Sequence, residues 1–198
     1  TVDDYVFYAD GDDIDLLAYV GDETELTLLS DYEGKSYEIA DRAFYDCGSL
    51  TSVTIPEGVT SIGEYAFYNC SGLTSVTIGE GVTSIDDKAF EGCYKLYEVY
   101  NKSDLNIVAG SWGNGDVAYY AKNVYTDESG ESKLHTIDDY IFYADGDDID
   151  LLAYVGDETE LTLPSDYEGK SYIIADRAFY GCSSLTSISS VNTTPQSV

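Results

Sequence analysis

The chain of 198 residues predicts a β-rich repeat solenoid of short strands and short helical turns, carrying two β-hairpin or meander units. Two observations point there: a motif that returns about every 23 residues, and a larger block that occurs twice. Residues 50–72 read LTSVTIPEGVTSIGEYAFYNCSG and residues 73–95 read LTSVTIGEGVTSIDDKAFEGCYK, and Leu96 opens a third copy. Residues 1–53 match residues 136–188 almost position for position, with mild exchanges such as Val2/Ile137, Leu29/Pro164 and Glu38/Ile173.

Each element follows from the columns that these copies share. Apolar residues fall at Leu50, Val53, Ile55, Val59, Ile62, Ala66, Phe67 and Cys70, and again at Leu73, Val76, Ile78, Val82, Ile85, Ala89, Phe90 and Cys93. One unit has too little apolar surface to fold alone, and stacking merges the columns into a continuous core. The β-branched run 51–55 predicts a strand stopped by Pro56, and residues 59–62 a second short extended segment after the Glu57-Gly58 turn. Residues 64–69 are expected to return the chain through about one helical turn. The Ile-x-x-x-Ala-Phe-x-x-Cys half recurs at residues 39–47 and 174–182, each time after an insertion, 31–35 or 166–170, expected to bulge from an edge.

The duplicated block opens with Asp-Asp-Tyr-(Val/Ile)-Phe-Tyr-Ala-Asp-Gly-Asp-Asp-Ile-Asp. A strand at 5–9, a turn at Asp10-Gly11, a strand at 14–20 and, after Gly21-Asp22, a strand at 25–28 are the expected elements. The domain reading is 1–49 as hairpin unit plus partial repeat, 50–95 as two regular repeats, 96–135 as an irregular connector and 136–198 as the second hairpin unit plus partial repeat. One continuous solenoid is expected, with two small lobes meeting near 101–134 as the alternative. Within that connector lie the Gly-rich 110–115, a possible helical turn at 118–121 and a strand at 123–126. Beyond Ile188 the pattern fails, because Ser190 stands where Ile55 would.

Composition sets limits on partners. With 38 acidic against 9 basic residues the net charge is -29, which repels a phosphate backbone or an anionic membrane and excludes nucleic acid as a natural partner. Such charge keeps an edge-rich repeat protein soluble, or draws it to cations and basic partners. No apolar run reaches the roughly 18 residues of a membrane span, so direct membrane insertion is not expected. The absence of Met, even at position 1, points to a processed product or a fragment of a longer protein.

No cofactor, metal or catalytic site is expected. Cys47, Cys70, Cys93 and Cys182 share one column, the pattern of a small buried apolar position rather than of a disulfide framework or zinc site, although both remain open. The Asp-rich 10–15 and 145–150 fail the EF-hand spacing, since Ile14 falls on a ligand position and no bidentate Glu follows; a solvated turn with at most weak cation binding is the reading. His135, the one histidine, lies in the polar stretch Ser132-Lys133-Leu134-His135 without a nucleophile motif. The 38 acidic residues guarantee close carboxylate pairs, so their number carries no sign of glycoside hydrolysis. The 20 Tyr and single Trp suit protein or glycan recognition. Tyr5, Tyr8, Tyr19, Tyr32 and Tyr37 are expected to alternate between core and surface. Trp112 is the candidate exposed anchor, or else a plug for the irregular unit. The other ligand-binding candidates are Thr51, Thr54, Thr74 and Thr77 on the repeat strands.

The string Leu-Thr-Ser-Val-Thr-Ile-Pro-x-Gly-Val-Thr-Ser-Ile-Gly-x-x-Ala-Phe-x-x-Cys resembles the BspA type of leucine-rich repeat. The resemblance covers nearly every position of the units at Leu50 and Leu73 and half of two more. It implies a secreted or surface-exposed protein of an anaerobic bacterium or protist, extracellular in location, that attaches to proteins or glycans on host or neighbouring cells. The expected function is therefore a noncatalytic binding or adhesion module, the alternative being a structural spacer that presents another domain.

Overall fold

A computed structural model of the chain describes residues 4–126 and 130–190. The chain divides into two compact units, Thr1–Glu131 and Ser132–Val198. The first contains β1 (Tyr5–Asp10), β2 (Asp13–Tyr19), β3 (Glu25–Thr27), β4 (Tyr37–Ile39), β5 (Ser52–Ile55), β6 (Val59–Ile62), β7 (Ser75–Ile78), β8 (Ser84–Ile85), β9 (Glu98–Asn101) and β10 (Asn123–Tyr125). These lie in two sheets, ordered β1-β2-β4-β6-β8 and β10-β9-β7-β5-β3. From β2 to β9 consecutive strands alternate between the sheets, so the chain winds as a coil, and every pairing except β1 with β2 is parallel.

The register shows why the repeat length matters. Val53 pairs with Val76 and Val76 with Val99, while Ile62 pairs with Ile85, so each apolar column stacks on itself. Phe44, Phe67 and Phe90 stack with ring centroids 4.6 and 5.0 Å apart and are buried. Burying one such side chain contributes roughly 1.5–3 kcal/mol, and none of these coils could do so without its neighbours. The coil at 101–125, whose sequence departs from the motif, still closes: β10 pairs parallel with β9, and Ile107, Val117 and Ala118 fill the core.

The corner expected as a helical turn is instead a chain of linked β-turns. Ala66, Tyr68 and Cys70 donate backbone N–H bonds to the carbonyls of Gly63, Tyr65 and Phe67, whereas the intervening Phe67 and Asn69 donate to Ala89 and Glu91 of the next coil. Tyr65 and Asn69 adopt φ of 59° and 58°, the left-handed value that a type II turn needs at its third residue and that breaks a helix. Two of these five donors thereby serve coil-to-coil stacking instead of a local helix.

The duplicated block forms the hairpin expected of it. Gly11 at φ 68° and Asp12 make the two-residue link between Asp10 and Asp13, the type II′ arrangement that puts Gly first. A bulge at Leu17 shifts the register between Val6 and Phe7. The insertion at 31–35 is a second tight turn closed by reciprocal Tyr32–Lys35 backbone bonds, and it carries the Lys35 ammonium to the Gly11 carbonyl and the Asp12 carboxylate, both at 2.8 Å. Of the tyrosines here, Tyr5 and Tyr37 are core, Tyr19 and Tyr32 half-buried and Tyr8 exposed.

The second unit repeats this plan with β11 (Leu134–Ile137), β12 (Tyr140–Asp145), β13 (Asp148–Tyr154), β14 (Glu160–Leu163), β15 (Ile173–Ile174) and β16 (Ser187–Ser190). Its sheets are ordered β11-β12-β13-β15 and β14-β16. The Lys170 ammonium again reaches the hairpin carbonyl of Gly146, at 2.8 Å. The departure from the repeat expected past Ser190 lies outside the described residues.

Candidate functional site

The parallel ladder sorts the candidate threonines into two roles. Thr51 and Thr74 precede their strands, and their hydroxyls donate to the carbonyls of Thr24 and Thr51 in the preceding coil at 2.9 and 3.0 Å. Those hydroxyls are spent on stacking. Thr54 and Thr77 lie within the strands, on the side opposite the buried Val53, Ile55, Val76 and Ile78. They pair in register with each other, with Thr27 on one side and with Tyr100 on the other, and Tyr100 pairs with Tyr125. Thr27, Thr54, Thr77, Tyr100 and Tyr125 thus form one outward column across the sheet. The adjacent outward column is Glu25, Ser52, Ser75, Glu98 and Asn123.

At its aromatic end the column has a structure of its own. Tyr100 and Tyr125 stack with centroids 4.9 Å apart, and their hydroxyls donate to the two oxygens of Glu98 at 3.0 and 3.1 Å. Glu98 is only 1% exposed, and charge-assisted bonds of this kind are what hold a carboxylate out of water. Sequence reasoning missed this trio. The sign was available, because Glu98 and Tyr100 occupy the slots that Ser75 and Thr77 fill one coil earlier.

Trp112 belongs to a different patch. It is 69% exposed and lies against Tyr119 with centroids 3.8 Å apart; Tyr119 meets Tyr120 at 4.6 Å and Tyr120 meets Tyr94 at 5.4 Å. Four aromatic rings therefore run in contact from Tyr94 of the last regular repeat into the irregular coil, with the indole at the exposed end. A third aromatic group lies at the corners, where Tyr45 stacks on Tyr68 at 5.1 Å and Tyr65 lies under both Arg42 and Lys88.

The remaining residues singled out in the sequence have structural surroundings. Cys70 and Cys93 are buried and donate from Sγ to the carbonyls of Phe44 and Phe67 at 3.2 and 3.1 Å; no cysteine is in a disulfide. Burial, with smaller contributions from Cys70 and Asp46, pushes the Cys47 thiol up to about 11, and the Cys70 thiol is raised by its neighbour Cys93 and by burial. Asp12 is held below the usual carboxylate range by its hydrogen bond and ion pair with Lys35. His135 is exposed on β11 with its ring 6.1 Å from that of Tyr167. An open groove of about 360 Å³ on the first sheet is lined by Asp15, Glu38, Asp41 and Asp86. The Asp15 carboxyl there is raised by desolvation and by the charges of Asp13 and Glu38, and Asp41 accepts the backbone N–H of Glu64 at 2.8 Å. Among the described residues no helix is long and apolar enough to cross a membrane.

Solved structures of similar proteins are bacterial. A leucine-rich repeat protein from Bacteroides capillosus is 27% identical over 63% of this chain and 95% of its own, with a TM-score of 0.50. A leucine-rich repeat protein of T. pallidum is 22% identical over 95% of this chain and 69% of its own, at 0.48. A leucine-rich cell surface protein from Faecalibacterium prausnitzii is 20% identical over 96% and 75%, at 0.34. No curated protein matches the chain. The family model for the BspA type leucine-rich repeat region matches six copies over residues 37–147 and 155–197, and with its stacked columns in register the chain belongs to that family.

Proposed function

We propose that this chain is a noncatalytic binding module of a secreted or cell-surface protein, and that it recognises another protein through the outward column Thr27, Thr54, Thr77, Tyr100 and Tyr125. The carrying observation is that column itself: five strands present hydroxyl and phenol side chains in register, with a stacked tyrosine pair fixed at one end by Glu98. Rigid tyrosines lose little entropy on binding and offer both an apolar face and a polar tip. The net charge of -29 favours a basic partner surface. Noncatalytic action is supported by the exposed position of His135 on β11 and by the use of the motif's own columns as core.

Magnitude limits the reading. Four strand spacings of about 4.8 Å span roughly 19 Å, a footprint well below the roughly 800 Å² per partner of a standard interface. The ladder alone therefore binds weakly, and Trp112 with its ring cluster is the natural second anchor. The test is a screen of the folded chain against host-protein and glycan arrays, followed by titration of each hit. Saturable binding that weakens at least about tenfold in Thr54→Lys/Thr77→Lys supports the reading. Folded protein with no saturable hit contradicts it and favours a spacer that presents another domain.

A further inference from the structure

Trp112 is the chain's one tryptophan and, among the described residues, its most exposed large apolar side chain. A scattered exposed Leu is ordinary, but a bare indole held in one position calls for a cause. The loop around it is fastened at several points. The Gly110 N–H donates to the Ala118 carbonyl at 2.8 Å, the Ser111 N–H to that of Val108 at 3.1 Å, and the Asn114 side-chain amide to that of Asn106 at 3.0 Å. Gly115, at φ 62°, seats the far side of the loop on the preceding coil, where a Cβ would meet the Asp86 carbonyl. The indole then lies against Tyr119, which itself meets Tyr120 edge-on. With Tyr119 behind it, the indole's exposed area is its other face and its rim.

The residues beside that face are small and polar. Gly113, next in the chain, adds no side chain. The Ser111 hydroxyl accepts the Gly113 N–H at 3.2 Å, which leaves its own proton to donate. The Asn114 amide donates through Nδ2, which leaves its carbonyl oxygen to accept. One flat, electron-rich ring with a donor and an acceptor close by has the chemistry of a pyranose site: the sugar's C–H face packs on the negative face of the indole, and its hydroxyls bond at the rim. Size points the same way, since a protein interface takes about 20–30 residues per side and this platform is a few residues wide. Charge narrows the class further. A net charge of -29, with Asp116 in the same loop, repels sulfated and carboxylated sugars and leaves uncharged ones unaffected.

We propose that Trp112, backed by Tyr119 and flanked by Ser111 and Asn114, is a subsite for an uncharged hexopyranose unit of a glycan. The proposal rests on the reading of the chain as a binding module, but it assigns no sugar to the threonine column. A single ring on an open platform binds weakly, with a Kd on the order of 1 mM. The subsite becomes effective when the sugar is carried on a partner that is also held elsewhere, because the second contact is then intramolecular.

Because the chain has one tryptophan, its fluorescence reports this site directly. Titration of the intact chain with lactose and with cellotetraose, up to about 50 mM, is expected to give a saturable change in emission with at least one of them, and sialyllactose is expected to bind at least about tenfold more weakly than lactose. Saturation-transfer NMR with the responding sugar then compares variants, each checked for native fold by circular dichroism. Trp112→Ala is expected to weaken binding at least about tenfold, Trp112→Phe to restore part of it, and Thr54→Lys/Thr77→Lys to bind the sugar as the wild type does. A folded chain with no saturable response to either uncharged sugar, sialyllactose bound as tightly as lactose, or unchanged binding in Trp112→Ala overturns the proposal. A protein partner held through the threonine column by a chain that ignores these sugars overturns the subsite alone and leaves the binding-module reading in place.

Discussion

The middle phenylalanine of the core, Phe67, lies between Phe44 and Phe90 with no exposed surface, so Phe67→Ala removes ring contacts on both sides. The expected cost is about 3–5 kcal/mol, measured by urea unfolding. Phe179→Ala, at the half-buried equivalent in the second block, is expected to cost clearly less; equal costs would contradict the stacking argument. The thiol column makes a second prediction. Burial raises Cys47 to about 11 from an ordinary 9.0 and raises Tyr37 and Tyr97 above their ordinary 10.0. These groups lose their protons at lower pH in the unfolded chain than in the native one. The stability they contribute is therefore whole below about pH 9 and is lost as pH rises through the native values. Melting temperature is expected to fall steadily above pH 9, with Cys47→Ser flattening the first part of that fall; a flat profile from pH 8 to 11 would refute it. At this scale the inward columns were legible in the sequence because every copy votes for them. Glu98 was not, because its burial depends on Tyr100 and Tyr125, and Tyr125 comes from a coil that breaks the motif.

The linked turns at the corners show where periodicity runs out for elements. Ala66, Phe67 and Cys70 are spaced as a helix face would be, so the buried pattern is the same for a helical turn as for linked β-turns. What separates the two is the left-handed φ at Tyr65 and Asn69, which no residue type there announces apart from Asn. The strands were plainer, since Pro56 and the Glu57-Gly58 turn mark the end of β5 and the start of β6. The turn between β7 and β8 is also a tight point of the stack: a Cβ on Gly81 would run into the Glu57 carbonyl of the coil before. Gly81→Ala is thus expected to cost at least about 2 kcal/mol by forcing two coils apart. A neutral result in thermal unfolding would show that the coils are less closely stacked than described.

For the whole chain, the duplication predicted both hairpin units and the repeat predicted the coils, but equivalent side chains of the two copies differ in burial, as Phe44 and Phe179 do. The first unit's core runs through successive coils from Tyr5 to Ala118, while the second unit's core gathers around Tyr140, Leu151 and Leu161. Amide exchange is therefore expected to be slowest in β5, β6 and β7 and faster in β15 and β16. Binding belongs to this scale too, because neither the threonine column nor the Trp112 cluster is large enough alone. The most direct test takes the partner recovered from arrays and compares its affinity for the wild type, Thr54→Lys/Thr77→Lys and Trp112→Ala, each checked for native fold. The account predicts that the outward threonine pair costs at least about tenfold and that Trp112→Ala costs a comparable or smaller factor. Unchanged affinity in the threonine pair would contradict the claim that the outward ladder is the recognition face.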